Sequence, residues 1–108
     1  MAKNENAYKA YLIKCIEKRF QGSIQLKNDP NYKQGIPDLT VLYNDRWATL
    51  EVKKSKDASK RPNQDYYVER MSNMSYSSFI YHENEEEVLD AMARSLSTKR
   101  QTCVPIAE

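Results

Sequence analysis

The segment from Asp38 to Lys53 limits the possible fold more than any other part of the chain. It alternates apolar and polar residues, is rich in Leu, Val, Thr, Tyr and Trp, and is interrupted by Asn44 and Asp45. Because Asn and Asp tolerate the positive φ angles of tight turns, the segment predicts a β-hairpin with a two-residue turn. This turn pairs Tyr43 with Arg46 and so fixes the register of the ladder.

The predicted register brings two carboxylates together. Stepping along the ladder away from the turn places Asp38 opposite Glu51, with Lys53 two residues further along the same face. Opposed side chains have Cβ atoms about 4.5–5.5 Å apart, so the carboxylates repel unless a cation lies between them or one binds a proton. Carboxylate and carbonyl oxygens are ligands that Mg²⁺ prefers. The opposite face collects apolar residues suited to a core: Leu39, Val41, Ala48, Leu50 and Val52.

A metal ion bound by Asp38 and Glu51 beside Lys53 would suit the hydrolysis of a phosphodiester. The metal polarises the phosphodiester and lowers the pKa of a bound water, while the lysine orients that water or stabilises negative charge. Lys53 also has a plainer interpretation, as a surface lysine paired with Glu51 or Asp38.

The flanking sequence predicts helices on both sides of short strands. Residues Asn6 to Phe20 carry apolar residues at helical spacing, Ser23 to Lys27 suit an edge strand, and Asn28 to Gly35 suit a loop. Pro62 is expected in the first turn of a second helix, whose buried stripe comprises Tyr67, Val68, Met71 and Met74.

Two more elements and a tail complete the prediction. Ser77 to His82 suit a strand, and Asn84 is expected to cap a last helix that packs through Val88, Leu89, Met92, Ala93 and Leu96. The strand after the crossover helix should run parallel to a hairpin strand, which predicts an α/β fold with a mixed sheet flanked by helices. Residues 1–96 are expected to form one domain, and 97–108 an irregular C-terminal tail.

Composition narrows the chemistry and the location. The widely separated Cys15 and Cys103 and the single histidine, His82, argue against structural zinc and a disulfide framework. No apolar run is long enough to span a membrane, and the N-terminus lacks a secretory signal, so a cytoplasmic protein is expected.

Charge is distributed unevenly although the formal net charge is only +2. Five basic residues fall within nine positions directly after the hairpin: Lys53, Lys54, Lys56, Lys60 and Arg61. They are either a solvated face or contacts to the phosphates that flank a scissile bond. Most of the acidic cluster from Glu83 to Glu87 has a structural explanation, because Glu85 and Glu86 suit the positive end of the last helix and Glu87 lies three residues after the predicted cap.

The motifs of the hairpin resemble a known superfamily. Gly35-Ile36-Pro37-Asp38, followed by Glu51-Val52-Lys53, resembles the PD-(D/E)XK nuclease signature. With the downstream Gln64, the pattern is similar to the virus-type replication-repair nuclease (VRR-NUC) branch, over about Glu5 to Leu96. The resemblance implies a restriction-endonuclease-like fold in which Asp38, Glu51 and the Val52 carbonyl bind metal. It also implies that Lys53 positions the attacking water.

Two assignments within this resemblance stay open. Gln64 matches the family's glutamine and is spaced to face the sheet, although a polar residue at a helix start needs no catalytic part. The family's acidic residue on the first helix is either Glu5 or Glu17. Glu5 is preferred because it falls on the arc of Tyr8 and Leu12, although a plain N-terminal helix charge remains the alternative.

The resemblance suggests a Mg²⁺-dependent DNA endonuclease in which Mn²⁺ can substitute. With no room for a base-reading domain, selectivity would come from nucleic-acid shape, such as a branch, flap or junction, or from a partner protein. The resemblance also suggests structure-selective cleavage, including Holliday-junction resolution, in replication, recombination or repair. Resolution of a four-way junction requires two symmetric cuts, which suggests a homodimer with one active site in each subunit. The tail from Ser97 is one candidate interface. The alternatives are a non-catalytic nucleic-acid-binding subunit of this fold and a sequence-specific restriction-type nuclease. Nothing in the residues excludes RNA.

Overall fold

Within residues 4–97, which are the part of the chain it describes, the computed structural model has three helices and four strands. The order is that expected from the sequence. The elements are α1 (Glu5–Arg19), β1 (Ile24–Lys27), β2 (Leu39–Tyr43), β3 (Arg46–Val52), α2 (Gln64–Met74), β4 (Tyr76–Ile80), a 3-10 helix (His82–Asn84) and α3 (Glu85–Ser97).

The four strands form one mixed sheet in the order β1-β2-β3-β4. β2 pairs antiparallel with both β1 and β3, whereas β3 and β4 run parallel. The turn at Asn44, whose φ is 57°, pairs Tyr43 with Arg46, and the ladder continues to Leu39 and Leu50. The predicted hairpin register, the edge strand and the parallel crossover are therefore confirmed.

Helices cover both faces of the sheet, which confirms the α/β class. α1 and α3 pack on the face that carries Leu39, Val41, Ala48, Leu50 and Val52, all fully buried. α2 lies on the opposite face, where the Thr49 hydroxyl meets the Met71 sulfur at 3.5 Å. Alternate β3 residues thus serve an apolar core on one side and a more polar layer on the other.

The sequence interpretation of α2 is wrong in two respects. Pro62 is not in the helix, because Asn63 adopts a left-handed conformation (φ 73°) and α2 starts at Gln64. None of the four residues expected to form the buried stripe is fully buried, since Met74 is 60% exposed and Tyr67, Val68 and Met71 are half-buried. The buried residue of α2 is Gln64, because this helix packs on the polar layer of the sheet rather than on the main core.

The last helix also begins differently from the expectation. The predicted strand to His82 ends at Ile80, and His82 starts the 3-10 helix. Asn84 does not cap α3: its side chain accepts from the Tyr81 N–H at 2.8 Å and donates to the Phe79 carbonyl at 3.1 Å. Asn84 therefore secures the end of β4.

Ser97 belongs to α3, so the predicted tail does not begin there. The rest of the expected tail, residues 98–108, lies outside the described residues. Among the described helices, none combines the length and the apolar character needed to cross a membrane.

Candidate functional site

Asp38 lies immediately before β2, at the level of Glu51 in the hairpin register. Its Oδ2 accepts a 2.9 Å hydrogen bond from the Val52 N–H. Its Oδ1 lies 3.3 Å from Nζ of Lys9, which projects from α1. The Asp38 carbonyl accepts from the Asn28 N–H at 2.8 Å, which continues the β1–β2 ladder. Backbone pairing therefore fixes the position of this carboxylate.

Glu51 is a carboxyl group buried inside the protein. Its residue exposure is 3%, and its Oε2 accepts a 2.8 Å hydrogen bond from Gln64 Nε2. Its Oε1 is buried and has no hydrogen-bond partner among the described residues. Burial, together with the charge of Asp38, raises the pKa of Glu51 to about 8, although the nearby Lys53 ammonium favours the charged form.

Lys53 is 6% exposed, so it is not the surface lysine of the plainer interpretation, although it does pair with Glu51 as that interpretation expected. Its Nζ lies 3.9 Å from Glu51 Oε2 and donates a 3.1 Å hydrogen bond to the Ser59 carbonyl. A buried ammonium is stable only when paired, and these two contacts hold it beside the carboxylate.

Gln64 connects the first turn of α2 to the site. While its Nε2 donates to Glu51, its Oε1 accepts a 2.8 Å hydrogen bond from the Arg61 N–H. Both ends of the amide are thus used, and Gln64 is 5% exposed. The structure places Gln64 towards the sheet, as its spacing predicts.

The Val52 carbonyl is directed to the same edge as Asp38. The Lys53 N–H donates to the Ile80 carbonyl at 2.9 Å, so the peptide groups of Lys53 face β4. Successive residues of a strand direct their peptide groups to opposite sides, so those of Val52 face the Asp38 side. The Val52 N–H bonded to Asp38 agrees with this orientation.

Asp38, Glu51, Lys53 and Gln64 line one cavity of about 370 Å³. Its walls include Glu5 from α1, Arg61, and residues of the loop between β1 and β2 such as Gly35. Glu17, the other acidic candidate on α1, is exposed. The structure therefore brings Glu5, Asp38, Glu51, Lys53 and Gln64 around one polar space.

The predicted basic residues line three different cavities. Arg61 lines the cavity with Glu51, whereas Lys56 and Lys60 line a neighbouring one and Lys54 lines a third. Lys60 also pairs with Asp65 at 3.1 Å, which reduces its capacity to bind a further anion.

Lys9 is a member of the site that the sequence interpretation missed. Its spacing of four residues from Glu5 is the signal that could have found it, because residues at i and i+4 share a helix face. The Lys9 contact to Asp38 depends on how α1 packs on the sheet, which the sequence does not specify.

The donor set suits a divalent cation. Within residues 4–97, no three acidic, His or Cys side chains are already gathered for metal binding. Asp38, Glu51 and the Val52 carbonyl nevertheless offer oxygen donors, and Glu51 Oε1, which has no partner in the part of the chain that the structure describes, is a buried acceptor that a cation would satisfy. Comparison with known protein families, characterised proteins and solved structures yields no match for this chain.

Proposed function

We propose that this protein is a Mg²⁺-dependent DNA endonuclease with a restriction-endonuclease-like fold of the VRR-NUC type, in which Mn²⁺ can replace Mg²⁺. The observation that carries the proposal is Glu51, whose buried Oε1 has no hydrogen-bond partner within residues 4–97 and lies close to a second carboxylate, Asp38. Burying a carboxylate in this state costs stability, and a metal-binding role accounts for that cost.

Asp38, Glu51 and the Val52 carbonyl would hold the cation. When bound, Mg²⁺ supplies a Lewis acid for the phosphodiester and lowers the pKa of water. Gln64 fixes the orientation of Glu51 through its 2.8 Å hydrogen bond. Lys53 places a positive charge where negative charge develops on the phosphate, and its contact with Ser59 holds it there.

The cationic groups around the cavity favour a nucleic-acid substrate. Arg61 lines the cavity itself, and Lys56 lines the neighbouring cavity that Lys53 also borders. Such contacts bind phosphates and carry no base information, so selectivity would come from DNA shape, such as a branch, flap or four-way junction. Resolution of a four-way junction would use a homodimer with two active sites.

To test this proposal, the purified protein is incubated with Mg²⁺ and a panel of nucleic acids. The panel contains linear duplex, single-stranded, flap and four-way-junction DNA, with matched RNA. We expect cleavage of at least one branched DNA, and its loss in Asp38→Asn, Glu51→Gln and Lys53→Met. Glu17→Gln and Lys18→Met are the matched controls, because both residues are exposed on α1. Circular dichroism checks that each variant is folded.

Binding of these DNAs without cleavage would contradict the proposal and favour a non-catalytic nucleic-acid-binding subunit. Full activity of Glu51→Gln would overturn the assigned site. A sedimentation measurement of the protein with and without junction DNA tests the proposed dimer.

A further inference from the structure

A second cavity lies beside the candidate active site, across the first turns of α1. Glu5 lines the active-site cavity, whereas Asn4 and Ala7 on the same turn line the second one. Consecutive residues after β3 also line different cavities, since Lys53 lines the first cavity and Lys54 lines the second. The second cavity measures about 490 Å³, and its remaining lining residues are Tyr8, Tyr11, His82 and Glu83.

Two tyrosines form one wall of this cavity. The rings of Tyr8 and Tyr11 stack with their centroids 6.0 Å apart and an interplanar angle of 24°. Both hydroxyls donate to the carboxylate of Glu85, at 2.9 Å from Tyr8 and 3.1 Å from Tyr11. Tyr8 is buried, but Tyr11 remains 48% exposed. Tyr11 is therefore a fixed aromatic surface that is open to solvent.

The charged groups of the cavity limit what it can hold. Lys54 is exposed and offers one cation, and the His82 side chain is 57% exposed. Glu83 is also exposed and lines the same space. Its carboxylate repels a run of phosphates, so the cavity suits one phosphate and one planar ring rather than a duplex backbone.

We propose that this second cavity binds one unpaired nucleotide, with its base stacked on Tyr11 and its phosphate contacting Lys54. Stacking on aromatic side chains is how proteins hold bases that are not paired. If the proposed nuclease function holds, the position of this cavity beside the active site implies a substrate with a single-stranded segment next to the scissile bond. This part of the inference rests on the proposed function. The proposed binding of a nucleotide depends only on Tyr11 and Lys54, and not on the proposed nuclease function.

The test measures fluorescence anisotropy of labelled single-stranded and duplex oligonucleotides, in DNA and RNA forms, with the full chain in EDTA. We expect Tyr11→Ala to weaken single-strand binding about tenfold and to leave duplex binding unchanged. Tyr11→Phe keeps the ring but removes the hydrogen bond to Glu85, so it should bind as the wild type does. Tyr66→Ala is the control, because Tyr66 is a similarly exposed tyrosine on α2.

Lys54→Ala should weaken single-strand binding and reduce its salt dependence, whereas Lys18→Ala on the exposed side of α1 should do neither. Tyr11-dependent binding of either DNA or RNA supports the proposal, and the tighter ligand identifies the sugar.

The two proposals fail in different ways. If the protein cleaves DNA but Tyr11→Ala binds single strands like the wild type, the nucleotide site is overturned and the nuclease assignment stands. If no nucleic acid is cleaved but single-strand binding depends on Tyr11, the nucleotide site stands and the nuclease assignment fails.

Discussion

Gln64 donates a 2.8 Å hydrogen bond from Nε2 to Oε2 of the buried Glu51. This bond joins the first turn of α2 to the end of β3 and satisfies one carboxylate oxygen while the other remains without a partner among the described residues. The amide oxygen of Gln64 is held in turn by the Arg61 N–H. Gln64 thus orients Glu51 towards the cavity that both residues line.

We expect Gln64→Ala to destabilise the protein by about 1–3 kcal/mol, because it removes the hydrogen bond to a buried carboxylate. The variant should also lose most Mg²⁺-dependent cleavage, since Glu51 is no longer oriented. Urea unfolding measures the first effect and a cleavage assay the second. Asn73→Ala, at an exposed position of the same helix, should match the wild type in both. Equal stability of Gln64→Ala and wild type would contradict the bridging role.

The raised pKa of Glu51 predicts that the stability of the metal-free protein depends on pH. Its pKa is raised from 4.5 to about 8 by burial and by the charge of Asp38. The folded state therefore holds the proton more tightly than the unfolded state, and this contribution to stability is complete below about pH 4.5. It is lost as the pH rises through about 8.

We therefore expect the urea midpoint of the metal-free protein, measured in EDTA, to fall between pH 5 and about pH 8.5. In Glu51→Gln this fall should be much smaller, because no proton is released from the buried site. Glu17→Gln should keep the wild-type slope, since Glu17 is exposed. A wild-type slope in Glu51→Gln would show that another group causes the dependence.

Lys9 should compete with Mg²⁺ for Asp38. Its ammonium lies 3.3 Å from Asp38 Oδ1, where it neutralises the carboxylate and repels a second cation. We expect Lys9→Met to lower the Mg²⁺ concentration that gives half of the metal-induced rise in Tm by about fivefold. Lys14→Met, at an exposed position of α1, is the control. Weaker Mg²⁺ stabilisation of Lys9→Met would mean that Lys9 supports the metal site.

The hairpin was predictable because its register depends on local chemistry. Asn44 takes the positive φ that a two-residue turn requires, and the pairing of Tyr43 with Arg46 then determines the level of Asp38 and Glu51. The long-range contacts of the site were not predictable in this way. The Lys9 contact depends on the packing angle of α1, and periodicity misplaced the buried residues of α2, whose contact face is polar.

Gly35 provides the most direct test of the close contact between the loop before β2 and the Pro62–Asn63 turn that precedes α2. Its φ is +94°, and a Cβ there would lie 2.6 Å from Cβ of Asn63 and 2.8 Å from the Pro62 carbonyl. Gly22 has a similar φ of +91°, but a Cβ there would meet nothing within 4 Å. The two glycines therefore separate the cost of the backbone conformation from the cost of crowding.

We expect Gly22→Ala to cost about 1 kcal/mol, from the positive φ alone. Gly35→Ala should cost about 3 kcal/mol, because the added methyl also forces the Pro62–Asn63 turn away from the loop. Since Gln64 follows that turn directly, Gly35→Ala should also reduce cleavage, whereas Gly22→Ala should not. Urea unfolding and the cleavage assay measure the two effects, and equal costs for the two variants would show that the loop yields without moving α2.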